Sequence, residues 1–203
     1  LGTVGSAGAH WSVSHQNLTG GLNGGNSALR IFFSLTNGEG ANAHGAISAA
    51  SSTTVTFKDG SGNSDDAHLN NSSGAYIMYS WADVPGYSRF GSYEGNGNAN
   101  GPYIDCGFRP ALVIAKRIDS TDNWVMKDSK RNSYNSVFSN LNTNTTNAEF
   151  GSLDDVNSFD FYSNGFKIKG TNGAVNANGG RFVFMAWAEQ PEVTPFGSQS
   201  NAR

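Results

Sequence analysis

The sequence is poor in cysteine, in charge and in long apolar runs. Its 203 residues include one cysteine, Cys106, so the chain can form no internal disulfide and no multi-cysteine metal site. We expect Cys106 to be a small buried apolar side chain. Charged residues make up 14% and the formal net charge is −3, which gives no reason to expect nucleic acid as a partner. No apolar run approaches the roughly 20 residues of a membrane-spanning helix, so we expect no membrane insertion.

The patterns that usually carry catalysis or bind a metal are also missing. The four histidines lie in the first half of the chain at spacings that do not suit zinc, and we expect them on the surface or in turns. No serine occupies a Gly-x-Ser-x-Gly elbow. We therefore predict a protein that is not an enzyme and that binds no metal or other cofactor. The acidic turn DGSGNSDD at residues 59–66 resembles the start of a calcium loop, so bound calcium is an open alternative there.

Glycine, asparagine, serine and aromatic residues are abundant. The chain has 26 glycines, and aromatic residues make up 12% of it. Frequent turn residues indicate short strands, and large aromatic side chains give such strands enough surface to bury. This composition predicts an all-β protein built as an antiparallel β-sandwich.

One stretch of the chain occurs twice at a constant separation. Residues 69–85 read LNNSSGAYIMYSWADVP and residues 175–191 read VNANGGRFVFMAWAEQP. Their apolar runs, 76–81 and 182–187, lack polar alternation and are bounded by glycine and proline. Each run is therefore predicted to be a strand buried on both faces, and the repeat predicts two related β units.

Each copy carries an acidic residue two positions before its closing proline, and the two acids could in principle form a catalytic pair. Asp83 and Glu189 occupy equivalent places in the repeat. Glycoside hydrolysis uses two carboxylates that line a cleft. Equivalent positions in a duplicated fold more often share a structural role, such as accepting hydrogen bonds from a turn. We therefore predict a structural role for both residues.

The predicted organisation follows from the repeat and from composition. The first unit lacks a counterpart to the strand that opens the second, and the chain begins with Leu1, which indicates a fragment or a processed form. The expected divisions are a linker or frayed terminus at 1–9, a first and incomplete β unit at 10–86, an aromatic and glycine-rich connection at 87–110, a second β unit at 111–192 and a tail at 193–203.

Shorter apolar or alternating runs predict the remaining strands. The Asn164-Gly165 step is a strong hairpin signal between two such runs, 158–162 and 166–169. Residues 36–53 show no clear element. The other predicted strands are residues 11–18, 28–35, 54–58, 111–118 and 123–128.

The predicted connection at 87–110 holds the candidate binding residues. It is long and rich in tyrosine, and long connections between strands are usually functional or packed on themselves. Tyr87, Tyr93 and Tyr103 could present flat rings on which sugar rings stack. The alternative is that these rings fill the core beneath a folded loop.

Ordered motifs along the chain resemble one known family. They are VPGYSRFGSYEGNG at residues 84–97, GFRP at 107–110, SNGFK at 163–167 and the closing MAWAEQP at 185–191. Together they resemble the carboxy-terminal lectin-like domain of bacteriophage tail and tail-fibre-like virion proteins, especially those of marine phages. The resemblance covers residues 69–203 and, more loosely, the part of the chain before them.

The resemblance implies a jelly-roll or lectin-like sandwich on an extracellular phage particle. The implied protein is a non-catalytic component of the tail fibre or tail tip that attaches to bacterial-surface polysaccharide. Its other expected partners are virion proteins and further copies of the chain, with a trimer as the expected state. Two alternatives stay open, a structural capsid decoration or head-fibre protein and a polysaccharide depolymerase. The family carries no catalytic residues to this chain.

Overall fold

The chain folds as an all-β protein, and its described residues include one short helix. In a computed structural model of the protein, strands account for 40% and helix for 3%, which confirms the predicted fold class. The structure describes residues 2–3, 10–23, 29–40, 47–57, 75–152 and 156–189. Within these ranges, no helix has both the length and the apolar character that crossing a membrane requires.

The chain divides into two compact units. One comprises Leu1–Trp81 with Ile118–Thr121, and the other comprises Ala82–Arg117 with Asp122–Arg203. In the first unit, short antiparallel strands pair as β1 with β6, β2 with β3 and β4 with β5. These strands are β1 (Gly2–Thr3), β2 (Ser12–Val13), β3 (Ile31–Phe32), β4 (Ile47–Ala50), β5 (Val55–Phe57) and β6 (Tyr76–Ile77).

The second unit contains longer strands in two antiparallel sheets. The five-stranded sheet has the order β11-β10-β9-β14-β7, and the three-stranded sheet has the order β12-β13-β8. The elements are β7 (Ser88–Glu94), β8 (Tyr103–Asp105), β9 (Pro110–Arg117), β10 (Trp124–Asp128), β11 (Leu141–Asn142), β12 (Phe159–Tyr162), β13 (Gly165–Ile168), helix α1 (Gly173–Asn176) and β14 (Arg181–Ala188).

The core of the second unit lies between these two sheets. Because side chains alternate along a strand, Phe159 and Phe161 of β12 point to the same side as Phe166 of β13. Phe184 of β14 meets them from the five-stranded sheet, with 5.3 Å and 76° between the rings of Phe166 and Phe184. The two sheets therefore form the layers of a β-sandwich.

The second copy of the repeated stretch is the buried strand that the sequence predicts. β14 lies between β9 and β7 and pairs with both over almost its whole length. Phe182, Val183 and Phe184 are all at most 2% exposed, so successive side chains on opposite faces are buried. A strand with a neighbour on each side and both faces covered needs apolar residues at every position, which explains the absence of polar alternation.

The first copy is different, and the prediction of a second buried strand was wrong. Among its described residues, 75–85, Tyr76 and Ile77 alone form a strand, and their partner β1 is equally short. Tyr79 and Trp81 are 53% and 57% exposed. An apolar run shows that these side chains are hydrophobic. Whether they are buried depends on neighbouring strands, which the run does not specify. The relation of the two units by duplication stays a prediction.

The stretch at 87–110 is not a long connection, because it contains β7 and β8. β7 pairs with β14 from Ser88 to Glu94 and forms one edge of the five-stranded sheet. Gly91 was counted as a loop residue, yet it serves the packing of this strand. A Cβ atom at Gly91 would lie 2.8 Å from the ring of Phe184, so glycine is what lets this ring lie against the strand.

Most strands that were predicted in the second unit are confirmed. β9 and β10 match the predicted runs, and β12 and β13 form the predicted hairpin, with Ser163 and Asn164 in the turn and Gly165 as the first residue of β13. In the first unit β2 and β3 are much shorter than predicted, β4 lies where no element was expected, and β1 lies inside the expected linker. The acidic turn at 59–66 and the tail at 193–203 lie outside the described residues.

Candidate functional site

The outer face of the three-stranded sheet carries polar and aromatic side chains. The register places Asp160, Lys167 and Tyr103 side by side across β12, β13 and β8. Two residues further along the strands, Tyr162 and Asp105 also point outward, and Gly165 of β13 lies between them. Because side chains alternate, all five point away from the phenylalanines of the core. We call the surface formed by Tyr103, Asp105, Asp160, Tyr162 and Lys167 the tyrosine face.

Tyr103 and Tyr162 form an exposed aromatic pair on this surface. Their ring centroids are 6.0 Å apart at an angle of 72°, and the two residues are 46% and 41% exposed. The Tyr103 hydroxyl donates a 2.6 Å hydrogen bond to Asn164 Oδ1. Gly165 leaves room for it, because a Cβ atom there would lie 2.9 Å from the Tyr103 oxygen. The hairpin turn thus holds the Tyr103 ring in one orientation.

The carboxylate of Asp160 is fixed by its neighbours. Ser136 Oγ donates to Asp160 Oδ1 at 2.7 Å, and the Tyr162 hydroxyl donates to Asp160 Oδ2 at 3.4 Å. Lys169 Nζ lies 3.9 Å from the same Oδ2. A carboxylate held in this way can accept a further hydrogen bond from a ligand hydroxyl without first losing rotational freedom.

A rigid asparagine-rich loop borders the tyrosine face. Lys167 Nζ donates to Asn100 Oδ1, which ties the loop to β13. The side chain of Asn176, which is fully buried at the end of α1, forms hydrogen bonds with the backbone of this loop. Asn176 Nδ2 donates to Asn98 O at 2.8 Å, and its Oδ1 accepts from Asn96 N at 2.8 Å. The exposed amides at the edge of the face are therefore preorganised.

Both phenols of the pair stay protonated at neutral pH. Burial raises the pKa of the Tyr103 phenol above its ordinary value of 10.0, and the charge of Asp105 raises it further. Burial also raises the pKa of Tyr162, and Asp160 contributes to that shift. Neutral phenols keep a hydroxyl proton to donate and present uncharged ring faces.

Of the three tyrosines predicted to bind a ligand, Tyr103 alone belongs to the tyrosine face. Tyr93 stacks on Phe182 with 4.8 Å between ring centroids and an interplanar angle of 5°. The Tyr93 hydroxyl donates to Val175 O at 2.9 Å, and burial raises its pKa. Tyr93 therefore fills space beside the core, which was the alternative considered for it.

Tyr87 lies in a turn that precedes β7 and is half-buried. Its backbone nitrogen donates to Val84 O at 2.9 Å, and its carbonyl oxygen accepts from Ala188 N at 2.8 Å. The backbone of Tyr87 thus links the turn to the end of β14. Tyr87 lies beside the five-stranded sheet and Tyr103 lies in the three-stranded sheet, so the structure does not unite the predicted residues in one surface.

The sequence contained a signal for the residues that were missed. The hairpin closes through the two residues Ser163 and Asn164, so Tyr162 pairs with Gly165 and the pairing of the flanking positions follows. Alternation then places Tyr162, Asp160 and Lys167 together on the face opposite Phe161. The predicted hairpin therefore also specifies the outward surface that it presents.

The acids of the repeat are held by arginines, as expected for structural residues. Asp83 Oδ2 lies 2.8 Å from Arg89 Nη1, and its Oδ1 accepts from Phe90 N at 2.7 Å. Glu189 Oε2 lies 2.9 Å from Arg109 Nε. Both carboxylates therefore stabilise the ends of strands, by the same kind of ion pair in the two copies.

Cys106 and His15 are both buried. Cys106 is a free and buried cysteine, as predicted, and burial raises its pKa to about 12, with a further contribution from Asp105. His15 is 7% exposed and lies in a turn, one of the two placements predicted for the histidines: its carbonyl oxygen accepts from Leu18 N at 3.1 Å, and its Nδ1 accepts from Asn17 N. Over the ranges that the structure describes, no three His, Cys, Asp or Glu side chains are grouped to hold a metal ion.

The first unit exposes an aromatic group of its own. The Tyr79 ring lies 6.1 Å from that of Trp81 at 24°, and 6.3 Å from that of Trp11 at 33°. All three residues are more than a third exposed. This group therefore presents exposed aromatic surface on the first unit.

The geometry defines an antiparallel β-sandwich protein with a preorganised face on its smaller sheet. Residues 3–191 match the family described as Domain of unknown function (DUF7483), and the chain belongs to this family. The match includes residues of both compact units. None of the curated proteins and none of the solved structures matches the chain.

Proposed function

We propose that the chain is a non-catalytic component of a phage tail fibre or tail tip that attaches the virion to bacterial-surface polysaccharide. The observation that carries this proposal is the exposed Tyr103–Tyr162 pair beside a fixed carboxylate and fixed amides. The assignment to a phage particle is supported by the resemblance of the motifs at 84–97 and 163–191 to tail and tail-fibre-like proteins. The other proposed partners are virion proteins and further copies of the chain, as a trimer.

The tyrosine face combines the two kinds of group that a sugar ring needs. The flat ring of Tyr103 or Tyr162 can pack against the C–H groups on one side of a pyranose. The hydroxyls at the edge of the sugar can donate to Asp160 and can accept from Lys167. Because both polar groups already have partners, a ligand joins an ordered network.

Preorganisation lowers the entropic cost of this binding. The Asn164 bond fixes Tyr103, and tyrosine itself has few rotatable bonds to immobilise. A flat and exposed face still gives weak single-site affinity, because it covers only one side of a sugar. Several copies on one particle would convert weak sites into tight attachment through avidity.

The separation of the two carboxylates on the tyrosine face favours sugar binding over glycoside hydrolysis. Asp105 and Asp160 lie on the two outer strands of the sheet with β13 between them. Neighbouring strands are about 4.8 Å apart, so the two residues are separated by roughly 10 Å or more. Retaining glycosidases hold their carboxylates about 5 Å apart and inverting enzymes about 6.5–9.5 Å. Asp105 Oδ1 also accepts from Gly107 N, which orients it toward its own turn.

The test is a binding assay with the purified chain on glycan arrays and on host bacteria, with released oligosaccharides measured in the same samples. We expect saturable binding without products. Aromatic contacts are worth about 0.5–1.5 kcal/mol, so Tyr103→Ala and Tyr162→Ala should each weaken binding by up to about tenfold. Tyr79→Ala, which removes an exposed tyrosine in the other unit, is the matched control and should bind as well as the unmodified chain.

Each other outcome identifies a different function. New short oligosaccharides would show a depolymerase. Absence of binding to any host surface would favour a structural decoration of the virion. Loss of binding in Tyr79→Ala, with Tyr103→Ala unaffected, would move the binding site to the aromatic group of the first unit.

A further inference from the structure

A lysine and an asparagine lie together inside the sandwich. Lys127 of β10 and Asn140, which precedes β11, are both 0% exposed. The register pairs Val125 with Asn142 and Met126 with Leu141, and its next step places Lys127 beside Asn140. Alternation puts both side chains on the face that carries Val125, which belongs to the core.

The two side chains converge on one atom. Lys127 Nζ donates to Phe138 O at 2.8 Å, and Asn140 Nδ2 donates to the same oxygen at 3.0 Å. Two donors on one carbonyl oxygen are close neighbours, so the lysine amine lies next to the asparagine amide. The Phe159 ring lies 5.8 Å from Lys127 Nζ and shields this pair on the core side.

We propose that Lys127 and Asn140 become joined by an intramolecular isopeptide bond. The lone pair of Lys127 Nζ attacks Asn140 Cγ, a bond forms between these two atoms, and the bond from Cγ to Nδ2 breaks. Nδ2 leaves as ammonia and carries away the proton that Nζ loses on becoming an amide nitrogen. Nothing is oxidised or reduced, and no co-reactant is needed.

The surroundings favour this reaction in three ways. The pair is held in place by the fold, which turns a slow intermolecular reaction into an intramolecular one. Burial removes the water that stabilises a lysine ammonium, which favours the nucleophilic amine. The hydrogen bond from Nδ2 to Phe138 O orients the amide beside the amine.

The bond would tie down an edge of the larger sheet. β11 has two residues and lies at the edge of the five-stranded sheet. A covalent link from β10 to the residue before β11 would prevent this edge from separating. The proposed bond is independent of the attachment function, because neither Lys127 nor Asn140 belongs to the tyrosine face.

The test is the intact mass of the purified and folded 203-residue chain. We expect a mass lower than that of the sequence by one ammonia, and a fragment spectrum in which peptides containing Lys127 and Asn140 are joined. Lys127→Met removes the amine with little change in volume and should restore the full sequence mass. Asn140→Asp can form the same bond with loss of water, and its product would have the mass of the linked unmodified chain.

A second source of ammonia loss must be separated from the bond. Asn-Gly steps such as Asn164-Gly165 can form succinimides, which also lose one ammonia but reopen in mild base. A mass deficit that persists in Lys127→Met, or that disappears in mild base, would contradict the proposal. A folded unmodified chain with its full sequence mass would overturn it directly, whether or not either variant folds.

Discussion

The Tyr103 hydroxyl and the Asn164 side chain are joined by a 2.6 Å hydrogen bond between a strand and a hairpin turn of the same sheet. This bond connects the one predicted ligand residue on the tyrosine face to the best turn signal in the sequence. It fixes a ring that is nearly half exposed, although exposed tyrosines are usually free to change rotamer. The proposed attachment site depends on this rigidity.

Replacing the hydroxyl alone should have a smaller effect than removing the ring. Tyr103→Phe keeps the stacking surface and loses only the hydrogen bond that orients the ring, so we expect affinity to fall by less than in Tyr103→Ala, which loses both. Asn164→Ala removes the same bond from the other side and should have a similar effect. Titration calorimetry with the polysaccharide measures both. A loss in Tyr103→Phe as large as in Tyr103→Ala would mean that the hydroxyl, and not the ring, makes the main contact.

Asn176 should be one of the most sensitive polar residues in the second unit. It is fully buried, and its Nδ2 also donates to Gly170 O at 2.9 Å. Asn176→Ala leaves buried backbone groups without partners, so we expect the free energy of unfolding to fall by about 2–3 kcal/mol. Urea denaturation measures it. The exposed Asn178→Ala in the following turn is the control and should change stability by less than about 0.5 kcal/mol.

Tyr93 should make stability depend on pH in the alkaline range. Burial raises its pKa in the folded chain above the ordinary value of 10.0. Below that value the phenol is protonated in both states, so it adds no pH dependence. Above it the unfolded chain loses the proton while the folded chain keeps it, so the free energy of unfolding falls by up to about 1.4 kcal/mol per pH unit.

Tyr93→Phe isolates this contribution. The variant cannot ionise at this position, so its stability should fall less steeply than that of the unmodified chain as pH rises above 10.0. Urea denaturation at a series of alkaline pH values gives the two slopes. Parallel slopes would show that Tyr93 is accessible to water in the folded chain.

Cys106 should resist thiol reagents while the chain is folded. Burial, with a contribution from Asp105, raises its pKa to about 12, so very little thiolate is present at neutral pH. We expect labelling by iodoacetamide to be slow in the native chain and to reach the ordinary rate in denaturant. Mass spectrometry at timed intervals measures both rates. Rapid labelling of the native chain would mean that this part of the core opens readily.

Local signals in the sequence predicted the second unit well. The Asn164-Gly165 step defined a hairpin, and the apolar run that became β14 was recognised as a strand buried on both faces. The hairpin prediction rests on interactions between residues that are close in sequence. The strand prediction rests on the continuous apolar run that a strand covered on both faces requires. The surface residue Tyr162 could have been found from the same hairpin by alternation.

The remaining features depend on contacts between distant parts of the chain. A glycine is needed at position 91 of β7 because the ring of Phe184, which is far along the sequence, occupies the space where a side chain would lie. The first copy of the repeat is equally apolar, but within the described residues its strand pairs over two positions only, and Trp81 is 57% exposed. Composition near either residue carries no information about these partners.

The most direct test of the account is the affinity of the Tyr103→Ala/Tyr162→Ala double variant for purified host polysaccharide. If the tyrosine face is the attachment site, the double variant should bind more weakly than either single variant while its unfolding free energy stays close to that of the unmodified chain. An unchanged affinity in a folded double variant would contradict the account.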